Sequence, residues 1–183
     1  MGGCPRDVRL ARSQDIAGTP TGRTVEAPDP IVPGGVPVMV PLFVLTIGFG
    51  VLRGLGLVGV DRLDGWQPSL RGALAAMLLL TASAHFGSRR RDLVAMVPSR
   101  LPRPELLVTL TGLLELSVAV AVLFNETATW AGAVFAGLLV AMFPANVRAA
   151  DEHLSIGGRP ATPVGPRALM QAVFLAAAVG VAL

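Results

Sequence analysis

Five stretches of the chain stay apolar for about the length of a membrane crossing. A helix rises about 1.5 Å per residue, so a hydrocarbon core of about 30 Å takes about 20 residues. Residues 38–58, 70–87, 105–124 and 128–147 meet that length or come close. Residues 168–183 carry no charge but number only 16. Sixteen residues reach roughly 24 Å, so this segment spans only by tilting little or by thinning the bilayer. Buried strands are shorter than these runs, and an outer-membrane barrel would alternate apolar and polar positions. The pattern predicts an all-α integral membrane helical bundle over 37–183, with four to five transmembrane helices. Residues 1–36 are rich in Gly, Pro and Arg and have no apolar period, which predicts a disordered cytoplasmic tail. A secretory signal is not expected, because apolar character begins only near Pro37.

Composition sharpens this picture. The chain has 183 residues, 52% hydrophobic and 15% charged. A soluble domain usually carries about 25% charge, so the ordinary cytosolic globule is disfavoured. The single cysteine, Cys4, excludes an internal disulfide, a CxxC pair and a Cys-based zinc site. With two histidines, no metal site is expected. The net charge is +3, and all 15 basic residues are Arg. They cluster beside apolar segments, which fits membrane topology and not a nucleic-acid stripe, so no nucleic-acid partner is expected.

Five crossings put the tail, 88–104 and 148–167 on one side. That side holds Arg6, Arg9, Arg12, Arg23, Arg89, Arg90, Arg91, Arg100, Arg103, Arg148, Arg159 and Arg167. The other side holds Arg62 and Arg71, with Arg53 inside the first span. The positive-inside rule then predicts a cytoplasmic N-terminus. Trp66 and Trp130 fall on the outer side, where they would anchor helix ends.

Charges inside a bilayer are costly, about 2.5–3.5 kcal/mol each at the centre on insertion scales. Arg53 and Glu115 both sit within predicted spans, at depths that differ by roughly 7 Å. One reading pairs them in the bundle interior. The other has Arg53 snorkel outward while a protonated Glu115 meets a hydroxyl such as that of Thr81. His85, Asn146 and Gln171 lie near the predicted cytoplasmic ends of spans two, four and five. They would line one cytoplasm-facing cavity that narrows toward Glu115, or they would make ordinary interhelical hydrogen bonds. The candidate binding residues are therefore Arg53, His85, Glu115, Asn146 and Gln171, and the candidate catalytic groups are Glu115 and His85. Gly48, Gly50, Gly54 and Gly56 in the first span, with the spacing Gly50-x-x-x-Gly54, and Gly132 and Gly137 in the fourth, read as sites of close helix packing within the chain. Arg89, Arg90 and Arg91 read as a topology signal able to meet anionic headgroups. Pro98, Pro102 and Pro104 then predict an extended connector. No phosphate-binding loop, zinc-protease signature or nucleophile elbow is present in the sequence.

Several strings together resemble the DoxX-like family of small bacterial membrane proteins. They are Ala84-His85-Phe86, Met96-Val97-Pro98 with Leu101-Pro102 and Pro104, Thr111-Gly112 with Glu115, Phe143-Pro144-Ala145-Asn146, and Pro166-Arg167 with Gln171. The resemblance covers roughly residues 75–175 and leaves Arg53 outside. It implies a helical bundle in the bacterial cytoplasmic membrane, with some members tied to quinone-linked or thiol-linked redox systems. On that footing the leading expectation is an accessory or quinone- or lipid-binding subunit of a membrane redox system. Its partners would be the lipid bilayer and a membrane or peripheral redox protein. The chain lacks the ligands for a redox centre of its own, and no covalent cofactor is expected. The alternatives are a membrane enzyme on a lipid-like substrate, with Glu115 as acid or base, and a small-molecule or proton carrier.

Overall fold

The computed structural model describes residues 39–156 and 158–183, so the expectation of a disordered tail over 1–36 lies outside the described residues. Six helices follow in order: α1 (Val40–Leu57), α2 (Trp66–Phe86), α3 (Arg90–Met96), α4 (Pro104–Ala121), α5 (Asn125–Asp151) and α6 (Val164–Ala182). A 3-10 turn at Asp61–Leu63 joins α1 to α2. A two-residue antiparallel ladder, β1 (Ser155–Ile156) with β2 (Arg159–Pro160), closes the connection from α5 to α6. All helices except α3 are long and apolar enough to cross a membrane. The chain is a multi-pass, all-α membrane protein.

The centre of the bundle follows from residue size. α2 packs against α1, α4 and α6. Its Ala73, Ala75 and Ala82 are buried beside Leu74, Met77 and Leu78. Small side chains let three helices approach one backbone closely, which is how membrane helices associate without a hydrophobic drive between them. α1 is the opposite case. Phe43, Ile47, Val51 and Leu55 recur every four residues and form one exposed apolar face. In lipid that face needs no protein cover. α5 and α6 meet at Gly132, where a Cβ would lie 2.5 Å from the Ala178 carbonyl oxygen.

Helix ends differ from the sequence expectation in informative ways. α2 starts at Trp66 and α5 runs for 27 residues, because polar residues at the membrane boundary continue a helix that apolarity alone does not mark. α6 has 19 residues, since Val164 to Arg167 join it. That length reaches roughly 28 Å, so it crosses without strong thinning. The connector after α2 is not simply extended. It contains α3, whose Arg90 turns back into the bundle. Arg90 donates to the His85 carbonyl (3.0 Å), the Glu105 carbonyl (3.0 Å) and the Thr109 hydroxyl (2.9 Å). A seven-residue helix shows no usable periodicity and exists through such tertiary bonds. Gly50 and Gly54 depart from the packing expectation as well, because a Cβ on either meets nothing within 4 Å. Gly137 is open in the same way, whereas the expected close approach does occur at Gly56, against the Leu63 carbonyl, and at Gly132, and a further one falls at Gly112.

Candidate functional site

Each interior helix presents its polar residue on a stripe that is otherwise apolar. On α4 the buried positions are Val108, Gly112, Glu115, Val118 and Ala119, one helical face. Glu115 is therefore held inside by the same periodicity that buries its neighbours. On α2, Leu74, Leu78, Ala82 and His85 form the matching stripe. Gly112 lets the two stripes close, since a Cβ there would stand 2.6 Å from the His85 Cβ. On α6, Arg167 and Gln171 are one turn apart, on the face that also buries Met170, Ala177 and Val181.

These faces surround a cavity of about 440 Å³ at the end of the bundle where α2 stops and α6 starts. His85, Glu115, Asn146, Arg167 and Gln171 all border it. Met77, Leu80, Phe135, Leu139, Met142 and Phe174 supply much of its apolar wall. It has the size of sites that take one small organic molecule, and the same mix of apolar lining with a few polar groups.

Two hydrogen-bonded clusters stand in the cavity wall. In the first, the Thr81 Oγ1 lies 2.7 Å from Glu115 Oε2 and 3.1 Å from the Leu78 carbonyl oxygen. A hydroxyl has one proton, so two arrangements satisfy these distances. Thr81 donates to an ionised Glu115, or it donates to Leu78 and accepts from a protonated Glu115. His85 Nδ1 lies 3.1 Å from the Thr81 carbonyl oxygen and 3.9 Å from Glu115 Oε2. A carbonyl accepts only, so Nδ1 carries the hydrogen. In a neutral ring Nε2 is then left as an acceptor.

The second cluster is a directed chain. Arg167 Nε donates to the Thr162 carbonyl (2.9 Å) and Arg167 Nη1 to Asn146 Oδ1 (3.1 Å). Asn146 Nδ2 donates to Gln171 Oε1 (3.2 Å), and Gln171 Nε2 to the Leu139 carbonyl (2.6 Å). Guanidinium only donates, which fixes both amide orientations down the chain. Arg167 itself is 7% exposed, and its Nη2 is buried without a hydrogen-bond partner among the described residues.

Four of the five expected binding residues thus share one cavity, and Arg53 is outside it. The interior Arg53–Glu115 pair does not form. Arg53 Nη1 instead lies 3.6 Å from Asp64 Oδ1 at the other end of the bundle, with its side chain 32% exposed. Exposure makes this the cheaper solution, because neither charge is fully desolvated. Glu115 finds the Thr81 hydroxyl, the alternative that the sequence allowed. In the sequence Arg167 is a topology residue and part of the Pro166-Arg167 string that accompanies Gln171, and it is not among the expected binding residues. Its spacing of four from Gln171 was the signal that it shares a helix face with a polar partner.

No curated protein and no solved structure matches the chain. The family described as a domain of unknown function, DUF8561, matches residues 74–182. The matched stretch begins inside α2 and takes in both clusters, while α1 and Arg53 lie before it. It covers more than half of the sequence, and the chain belongs to the DUF8561 family.

Proposed function

We propose that this protein is a membrane-embedded binding subunit for one small amphipathic molecule of the quinone or lipid class. The observation that carries the reading is the cavity of about 440 Å³ whose apolar wall ends in His85, Glu115, Asn146, Arg167 and Gln171. An apolar body fits the wall, and a polar head fits the donors and acceptors at one end. The resemblance to DoxX-like proteins supports a place for the subunit beside a redox partner in the bacterial cytoplasmic membrane. In that arrangement the partner holds the redox centre.

Mass spectrometry of the purified protein tests this. A single amphiphile should co-purify in excess over the bulk lipids, and Ala84→Phe, which fills the cavity wall, should remove it. An extract with only bulk-lipid composition in both proteins refutes the reading. Glu115→Gln belongs in the same experiment, because the Thr81–Glu115–His85 cluster favours a second reading, acid–base chemistry on the bound molecule. A variant that retains the ligand and loses turnover or transport supports that second reading.

The arginine asymmetry supports an N-terminus in the cytoplasm, with the cavity opening on that side. In a Cys4→Ser background, Thr127→Cys should react with an impermeant thiol reagent added to intact cells, and Ser99→Cys should not. Outside labelling of Ser99→Cys reverses the orientation.

A further inference from the structure

We propose that the cavity selects an anionic amphiphile, one with a carboxylate or phosphate head, and that Arg167 is the residue that binds this head. The proposal rests on the amphiphile-binding reading above and names the chemistry of its ligand.

The reason is an imbalance of charge. Arg167 is almost wholly buried and donates only to neutral groups, the Thr162 carbonyl and the Asn146 amide. Its Nη2 is buried without a partner among the described residues. A buried cation with an unmet donor is costly, and it persists where an anion completes it. Glu115 does not supply the missing anion: among the described residues its carboxylate lies against Thr81 and His85 and makes no ion pair with Arg167. The head therefore sits at Arg167. Its apolar body runs along Leu139, Met142 and Phe174, toward Phe135 and Met77, which border the same space. A neutral carbonyl head accepts a hydrogen bond from Arg167 but leaves the charge uncompensated. An oxyacid satisfies both, and guanidinium–oxyanion bonds are about twice as strong as neutral ones.

The test titrates the full chain in phosphatidylcholine nanodiscs with four probes: decanoate, decyl phosphate, decanol and decylubiquinone. Empty discs give the partition background. At least one of the two anions should saturate at one per chain, about tenfold or more tighter than decanol. The tighter of decanoate and decyl phosphate identifies the oxyacid. Arg167→Gln should weaken the anions by about tenfold or more and leave decanol unchanged. Competition on the wild-type protein decides the matter if that variant does not fold, because decanol should fail to displace bound decanoate. Equal affinity for anions and neutral probes, or decanoate readily displaced by decanol, overturns the anionic head while amphiphile binding stands. No saturable binding of any probe overturns amphiphile binding itself, and this proposal with it.

Discussion

Two arginines lie within membrane-crossing helices at opposite ends of the bundle and meet the cost of burial differently. Arg53, on α1, keeps 32% of its side chain exposed and faces a carboxylate, Asp64, at 3.6 Å. Arg167, on α6, is 7% exposed and has only neutral hydrogen-bond partners. Arg53 Nη1, like Arg167 Nη2, is buried without a hydrogen-bond partner among the described residues, but the first charge faces a carboxylate at a boundary where the dielectric is high and screening is available. The second is embedded in a network that a ligand would complete. A charge in a membrane helix is therefore not by itself a sign of function. The informative observation is a buried charge whose counter-charge is absent from its own surroundings.

The largest difference between the two ends should appear when one network partner is removed. Asn146→Leu takes the acceptor from Arg167 Nη1 and the donor from Gln171 Oε1. Each lost bond is worth about 0.6–1.7 kcal/mol in a membrane interior, so a loss of about 2 kcal/mol is expected. Asp64→Asn at the other end should change stability by less than about 1 kcal/mol, and less still in high salt. Unfolding by sodium dodecyl sulfate titration in mixed micelles measures both. Equal losses would dissolve the contrast between the two arginines.

Backbone packing offers a finer probe of the same two ends. Gly112→Ala forces a Cβ to within 2.6 Å of the His85 Cβ. Overpacking of this kind costs about 1–3 kcal/mol, and it should also push the His85 ring away from Glu115. Gly54→Ala, one residue from Arg53, meets nothing within 4 Å. It should be neutral or stabilise by up to about 1 kcal/mol through helix propensity. The same unfolding titration reads both variants. A destabilised Gly54→Ala would indicate that this face is covered in the membrane, for instance by another protein.

The family match draws the same line. DUF8561 covers residues 74–182, which hold Thr81, His85, Glu115, Asn146, Arg167 and Gln171. Arg53 and all of α1 precede it. The helix with the most outward-facing apolar surface thus lies outside the shared segment, and the two polar clusters lie within it.

The amino-acid sequence by itself determined the class of molecule. Long uninterrupted apolar runs admit only helices in a bilayer, where every backbone group must find its partner within its own segment. It also marked Glu115, His85, Asn146 and Gln171, because a polar side chain inside an apolar run is costly enough to be conspicuous. Pairing was different. Which partner each one meets depends on helix rotation and depth, which a set of nearly all-apolar segments constrains poorly. Glu115 meets Thr81 because Gly112 lets α4 close on α2 at His85. Arg53 turns to Asp64 because the 3-10 turn brings that carboxylate beside the end of α1. Arg167 is a topology residue and a member of the Pro166-Arg167 string by sequence, and neither marks it as buried, since a charge at the edge of an apolar run is ordinary. Only the packing of α6 on α5 places it beside Asn146 and buries it, and that burial turns an arginine at a membrane boundary into the head-binding residue of a cavity.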